Sequence, residues 1–361
     1  MTKEKMPLYI LLFIVLLLGG CNTYNTGTCL SDKEIKELTA KAEKGDLNAA
    51  RLIESHYMFC VEDPKMARVW TEKLASLGDA EAWYHLYSDD RSSNDANTKK
   101  KAFAELVKSG EGGYGFAQMT LATKYFTGDE VNKDHAQGEV WLRRAAQAGN
   151  SDAMRSMSIL LLVKERTKNS IIEAYRLSRH AQRVVDEQSV AGQSAMRQAE
   201  TIRLVARKSR IPEKALEAAT AKLPAQKEPK ANASPERFTA TSGSPRANAE
   251  LADRQYAAGT KEGVVAGEGL LKSAALACDK YAMSDFATVS LLSATTGKSL
   301  AEAQSWAKLV ILDAPASYMA TDARMNMEFI SIAAKSLGIP QATISEEADN
   351  LVAQSNCRKS K

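Results

Sequence analysis

The chain has 361 residues, 48 Lys and Arg against 44 Asp and Glu, and a net charge of +4. With 44% hydrophobic and 25% charged residues its composition is that of a globular protein, which excludes wholesale disorder. So small a basic excess, without a stripe of Lys and Arg, gives no ground for a nucleic-acid partner. Four His, 20 Gly, 9 Pro and frequent Ala argue against a metal enzyme and an all-β protein. The remaining class is all-α, in one or two domains at about 150 residues each.

Residues 1–20 read as a targeting segment. Lys3 and Lys5 precede the apolar run Leu8 to Leu18, about half the ~20 residues needed to span a bilayer. The run closes in Leu18-Gly19-Gly20-Cys21, which resembles a bacterial lipobox. That resemblance implies lipidation of Cys21 and a chain held on the membrane by its acyl groups. Asn22 stands where sorting in enteric-type bacteria would place an Asp for inner-membrane retention. The expected location is therefore the outer membrane, facing the periplasm, with 21–37 as a tether.

Four cysteines remain after Cys21: Cys29, Cys60, Cys278 and Cys357. In an oxidising compartment an even number invites disulfides, and four cysteines allow three pairings. Two lie near each end of the mature chain, which favours Cys29–Cys60 and Cys278–Cys357; buried free thiols are the alternative. None of the four makes a metal-ligand spacing.

From residue 38 the sequence repeats. A glycine is followed four residues later by alanine at Gly45…Ala49, Gly78…Ala82, Gly113…Ala117 and Gly149…Ala153. Four residues beyond each alanine stands an apolar side chain: Ile53, Leu86, Leu121, Met157. Tyr57 and Tyr125 follow one turn later in two copies, and Trp70 and Trp141 precede two of the glycines by eight. This is one helix face, with a small residue where a neighbour approaches closely. Each glycine ends the preceding helix in the left-handed conformation. Each unit is thus an antiparallel helix pair that cannot bury its face alone.

The third unit, with Ala117, Leu121, Ala122, Tyr125, Gly128, Asp134, Trp141, Ala145, Ala146 and Gly149, resembles a Sel1-like repeat, the tetratricopeptide-related helix pair. The first unit, from Ala49 to Gly78, matches nearly as well. The second is irregular, with a polar loop expected over Ser88–Lys101, and the fourth loses its Gly turn. The resemblance covers about residues 41–181 and implies a superhelical solenoid, expected to extend over 38–223. A Pro-rich linker is expected over 224–248, then a C-terminal helical region over 249–361. Ala249–Ala277, Tyr281–Leu292 and Leu300–Leu312 are helical by period, and Ala303-x-x-Trp306 repeats the spacing Ala67-x-x-Trp70. Whether this half stacks on the first stays open.

Two chemistry motifs match only formally. Gly110-Glu111-Gly112-Gly113-Tyr114-Gly115 fits G-x-G-x-x-G but follows a helix, where a phosphate cradle needs a strand. Ser305-Trp306-Ala307-Lys308 fits S-x-x-K without its companion motifs. His56, His85, His135 and His180 share no motif. The expectation is no enzyme, no cofactor, no metal and no small-molecule substrate.

Function is expected on the surface. By resemblance to the tetratricopeptide arrangement, the inner helices present Arg51, Met58, Phe59, Tyr84, Phe116, Met119, Phe126 and Arg155, a set rich in hot-spot residue types. A one-position slip would instead bury several of them. Sel1-like lipoproteins include immunity proteins that neutralise type VI secretion phospholipase effectors in the periplasm. The resemblance implies such a partner here. The alternative is a scaffold lipoprotein of an envelope or exopolysaccharide-export complex.

Overall fold

The computed structural model describes residues 29–186, 189–224 and 244–358. Cys21, the targeting segment and most of the expected Pro-rich linker lie outside the described residues. Within them the fold is all-α: 17 α-helices, one short 3-10 turn and no strand. None of the described helices is long and apolar enough to cross a membrane.

The chain divides into two compact units, residues 1–86 and 87–361. The first holds α1 (Asp32–Ala42), α2 (Leu47–Phe59), α3 (Pro64–Ser76) and the start of α4 (Ala80–Asp90). α1 begins inside the expected tether, because Ser31 and Glu34 form a capping box that satisfies the first free N–H groups. Ala42, Ala49, Ala50, Leu74, Ala75, Ala82 and Leu86 make the buried core of this unit, with Trp70 and Trp83 against it.

The second unit runs through α5 (Ala96–Glu111), α6 (Gly115–Thr127), α7 (His135–Gln147), α8 (Ser151–Lys164), α9 (Lys168–Val184), α10 (Val190–Lys208) and α11 (Glu213–Thr220). From residue 245 come α12 (Pro245–Ala257), α13 (Lys261–Leu276), α14 (Lys280–Ser293), α15 (Gly297–Asp313), α16 (Tyr318–Ser336) and α17 (Gln341–Gln354). α5 starts within the stretch expected as a polar loop, capped by Asp95, whose carboxylate accepts from Thr98 N–H at 2.7 Å. The expected single helix 249–277 is two, broken where Gly259 takes φ +63°.

The repeat spacing is explained by the turns. Gly45, Gly78, Gly113 and Gly149 all take φ between +90° and +94°. A Cβ at any of them would meet nothing within 4 Å, so dihedral and not space demands glycine. In each, the next N–H reaches back five residues, as Asp79 to Leu74 C=O at 3.1 Å. The repeat alanines Ala49, Ala82, Ala117 and Ala153 and their partners Ile53, Leu86, Leu121 and Met157 are all buried.

Most consecutive helices pack against each other, and the C-terminal helices fold onto the earlier ones of the same unit. α16 lies against α6 and α8, and α14 against α8 and α10. The division between the compact units falls within α4, between residues 86 and 87. Ala303 and Trp306 are buried as their spacing predicts, Trp306 edge-on to Phe286 at 5.7 Å. The two disulfides are Cys29–Cys60 and Cys278–Cys357, the pairing favoured by placement.

Candidate protein-binding surface

The eight side chains expected to face a partner fall into both units. In the first, α2 ends with Met58 and Phe59 exposed, while Tyr84 on α4 is half-buried. Arg51 has a structural duty: its Nη2 and Nε lie 2.7 and 2.9 Å from Asp79 Oδ2. The other Asp79 oxygen caps α4, accepting from Glu81 and Ala82 N–H at 2.9 and 3.1 Å. Arg51 thus ties α2 to the start of α4, with half its side chain still in water.

In the second unit, α6 presents Phe116, which is 57% exposed, with Tyr114 beside it at 5.6 Å between ring centroids. Met119, one turn on, is half-buried. Phe126 corrects the expectation: it is fully buried. Its ring meets Phe329 of α16 edge-on at 5.3 Å and sits against Gly138, where a Cβ would come within 2.9 Å of it. The face taken as open is filled at this point by α16. Around the same contact, Glu328 of α16 receives Lys133 Nζ at 2.7 Å and faces His135 Nε2 at 3.2 Å.

Arg155 is likewise drawn inward. Its Nη1 lies 3.2 Å from Asp152 and its Nε donates to Gln198 Oε1 at 3.3 Å, while Gln198 Nε2 donates to the Arg155 carbonyl at 2.8 Å. Beside it runs a polar seam through the unit. Arg197 of α10 pairs with Asp253 of α12 and Asp285 of α14, and Ser194 Oγ donates to Asp285 at 2.7 Å. Burial raises the Asp253 carboxyl despite Arg197. It raises Asp322 of α16, which faces Arg155, Asp152 and Asp285, to about 6. A buried charge needs its partner to stay charged, so these groups fix how α8, α10, α12, α14 and α16 register.

Sequence reasoning missed α16 as the cover of α6. The signal was present as Met325, Phe329 and Ile330 at helical spacing, all buried. It carried no indication of which face they would meet. The formal motifs dissolve in the structure. Gly110 lies inside α5 with Leu121 and Trp141 against it, and Gly113 makes an inter-helix turn. Ser305 is buried with its hydroxyl on the Glu302 carbonyl at 2.7 Å, and Lys308 is held by Asp349 at 2.7 Å. Among the described residues no three side chains are grouped to hold a metal ion.

The fold defines the class: an all-α protein of helices packed on their neighbours in chain order. No family model matches the chain, and neither does any curated protein. Among solved structures it is similar to a protective antigen of uropathogenic Escherichia coli strains that displays an SLR fold. That likeness has a TM-score of 0.31 and 14% identity over 91% of this chain and 97% of the other. A Sel1 repeat protein from Oxalobacter formigenes is also similar, with a TM-score of 0.29 and 16% identity over 96% and 98% of the two chains.

Proposed function

We propose that this chain is a lipid-anchored envelope protein that binds a protein partner, serving as an immunity protein against a type VI secretion phospholipase effector. The observation that carries the binding role is Phe116, an exposed aromatic ring at the start of α6 with Tyr114 and Met119 around it. An exposed ring flanked by a second ring and a methionine is the composition of a binding hot spot. Attachment through Cys21 to the periplasmic face of the outer membrane would put that surface where a lipid-degrading enzyme meets its substrate. Binding there would keep the enzyme from the bilayer without any chemistry of its own.

The test is to express the suspected phospholipase in the periplasm with and without this protein. Rescue by the wild-type chain is expected, together with a complex that survives gel filtration. Phe116→Asp with Met119→Asp should weaken that complex at least about tenfold, one lost contact of roughly 1.4 kcal/mol, with helicity unchanged. Persistent toxicity and no complex with the wild-type chain would overturn the immunity reading. Unchanged affinity in the double variant would move the interface off α6.

A further inference from the structure

Where the chain leaves the membrane depends on the anchored reading above, and the structure fixes where it arrives. Seven residues separate Cys21 from Cys29. Even fully extended they reach about 28 Å between the two Cα atoms. Cys29 is bonded to Cys60 at the C-terminal end of α2, and Leu30 N–H donates to His56 Nδ1 of the same helix at 3.1 Å. The tether is therefore fastened to the end of α2.

At that end three of four consecutive residues are large, apolar and in water: Met58 at 42%, Phe59 at 58% and Val61 at 51% exposure. A lone exposed hydrophobic residue needs no explanation, but a cluster beside the point of attachment does. The backbone holds the cluster in place. Val61 N–H donates to His56 C=O at 3.1 Å, and Glu62 turns the chain in the left-handed conformation. Asp63 then spends its carboxylate on the N–H groups of Lys65 and Met66, at 3.0 and 3.1 Å, which caps α3. Asp63 is thereby engaged with its own helix, while Glu62, exposed beside Val61, is the acid at the edge of the tip.

We propose that Met58, Phe59 and Val61 form a second, non-covalent foot that enters the acyl surface of the bilayer carrying the Cys21 anchor. The occupant of this apolar tip is lipid, because the short disulfide-pinned tether keeps it at the membrane. A foot of this kind would fix the orientation in which the first unit stands on the membrane.

The experiment uses the full chain, purified with its acyl groups and placed on phosphatidylethanolamine–phosphatidylglycerol vesicles with brominated acyl chains. Val61→Trp, read as the difference from wild type, should add blue-shifted emission that the bromines quench, and Phe59→Trp should do the same. Adding Met58→Asp with Phe59→Asp to Val61→Trp should abolish the quenching while the acyl groups keep the protein on the vesicle. Each apolar side chain is worth roughly a tenfold partition. Far-UV circular dichroism should be unchanged in every variant. If Cys21 is acylated by mass spectrometry yet both Trp probes emit as in water, the foot is overturned and the anchor stands. An unmodified Cys21 overturns the anchor and the foot with it.

Discussion

Asp322 shows how one side chain can set the pH response of a helical protein. It sits near the start of α16, faced by Arg155 and Asp152 from α8 and Asp285 from α14, and burial lifts its carboxyl from the ordinary 3.8 to about 6. A raised carboxyl means that the folded state holds its proton more tightly than the unfolded chain does. The stability this gives is complete below about pH 3.8 and is lost as pH rises through 6. Asp322→Asn keeps the shape and removes the titration. We expect the variant to exceed wild type in stability at pH 7 by on the order of 1–2 kcal/mol, and the gain to vanish near pH 4. Thermal unfolding of both proteins across pH 4–7 checks this; a pH-independent difference would contradict it. The residues with polar duties inside the second unit, Arg155 and Arg197 above all, share the same origin: helices crossing where charged side chains meet.

At the scale of the element, the recurring unit is the turn. Gly45, Gly78, Gly113 and Gly149 were readable because only glycine takes φ near +90° cheaply. The same turn recurs without glycine, which is why the repeat faded from view after residue 153. Arg210 takes φ +57°, with Ile211 N–H reaching back to Ala206 C=O at 3.0 Å, and Cys278 takes φ +67°, with Asp279 N–H reaching Ala274 C=O at 3.2 Å. Backbone hydrogen bonding preserved the turn where side-chain identity was lost. A non-glycine residue in this conformation carries strain of about 1 kcal/mol. Arg210→Gly should therefore stabilise the second unit by about 0.5–1 kcal/mol, the relief being partly offset by glycine's freedom in the unfolded chain. A denaturant midpoint that stays put or falls would argue against a strained turn. The buried helix faces were legible for the same reason as the glycine turns, since period alone identifies them. The partner of each face was not: Phe126 carries an inner-face register number and an apolar ring, and either role fits both.

For the whole chain, the sequence leaves open whether the C-terminal helices stack on the earlier ones, and within the second unit they do. The described residues of 87–361 make one compact unit, in which α14 packs against α8 and α10 and α16 against α6 and α8. The Cys278–Cys357 disulfide closes the last turn of that unit onto the turn between α13 and α14. A loop of 79 residues constrained in this way is worth about 4.5 kcal/mol in the chain-entropy account. What remains open to a partner on α6 is its beginning, where Phe116 is exposed, and not its C-terminal end, where Phe126 is covered. The claim on which this rests is that α16 covers α6 through Phe126 and Phe329. A double-mutant cycle of Phe126→Leu and Phe329→Leu, read by equilibrium unfolding of the full chain, tests it most directly. The account predicts that each single change destabilises by at least about 1 kcal/mol and that the two couple by about 0.5–1.5 kcal/mol. Additive effects, or a Phe126→Leu protein as stable as wild type, would mean that the ring lies open and that the inner face is free.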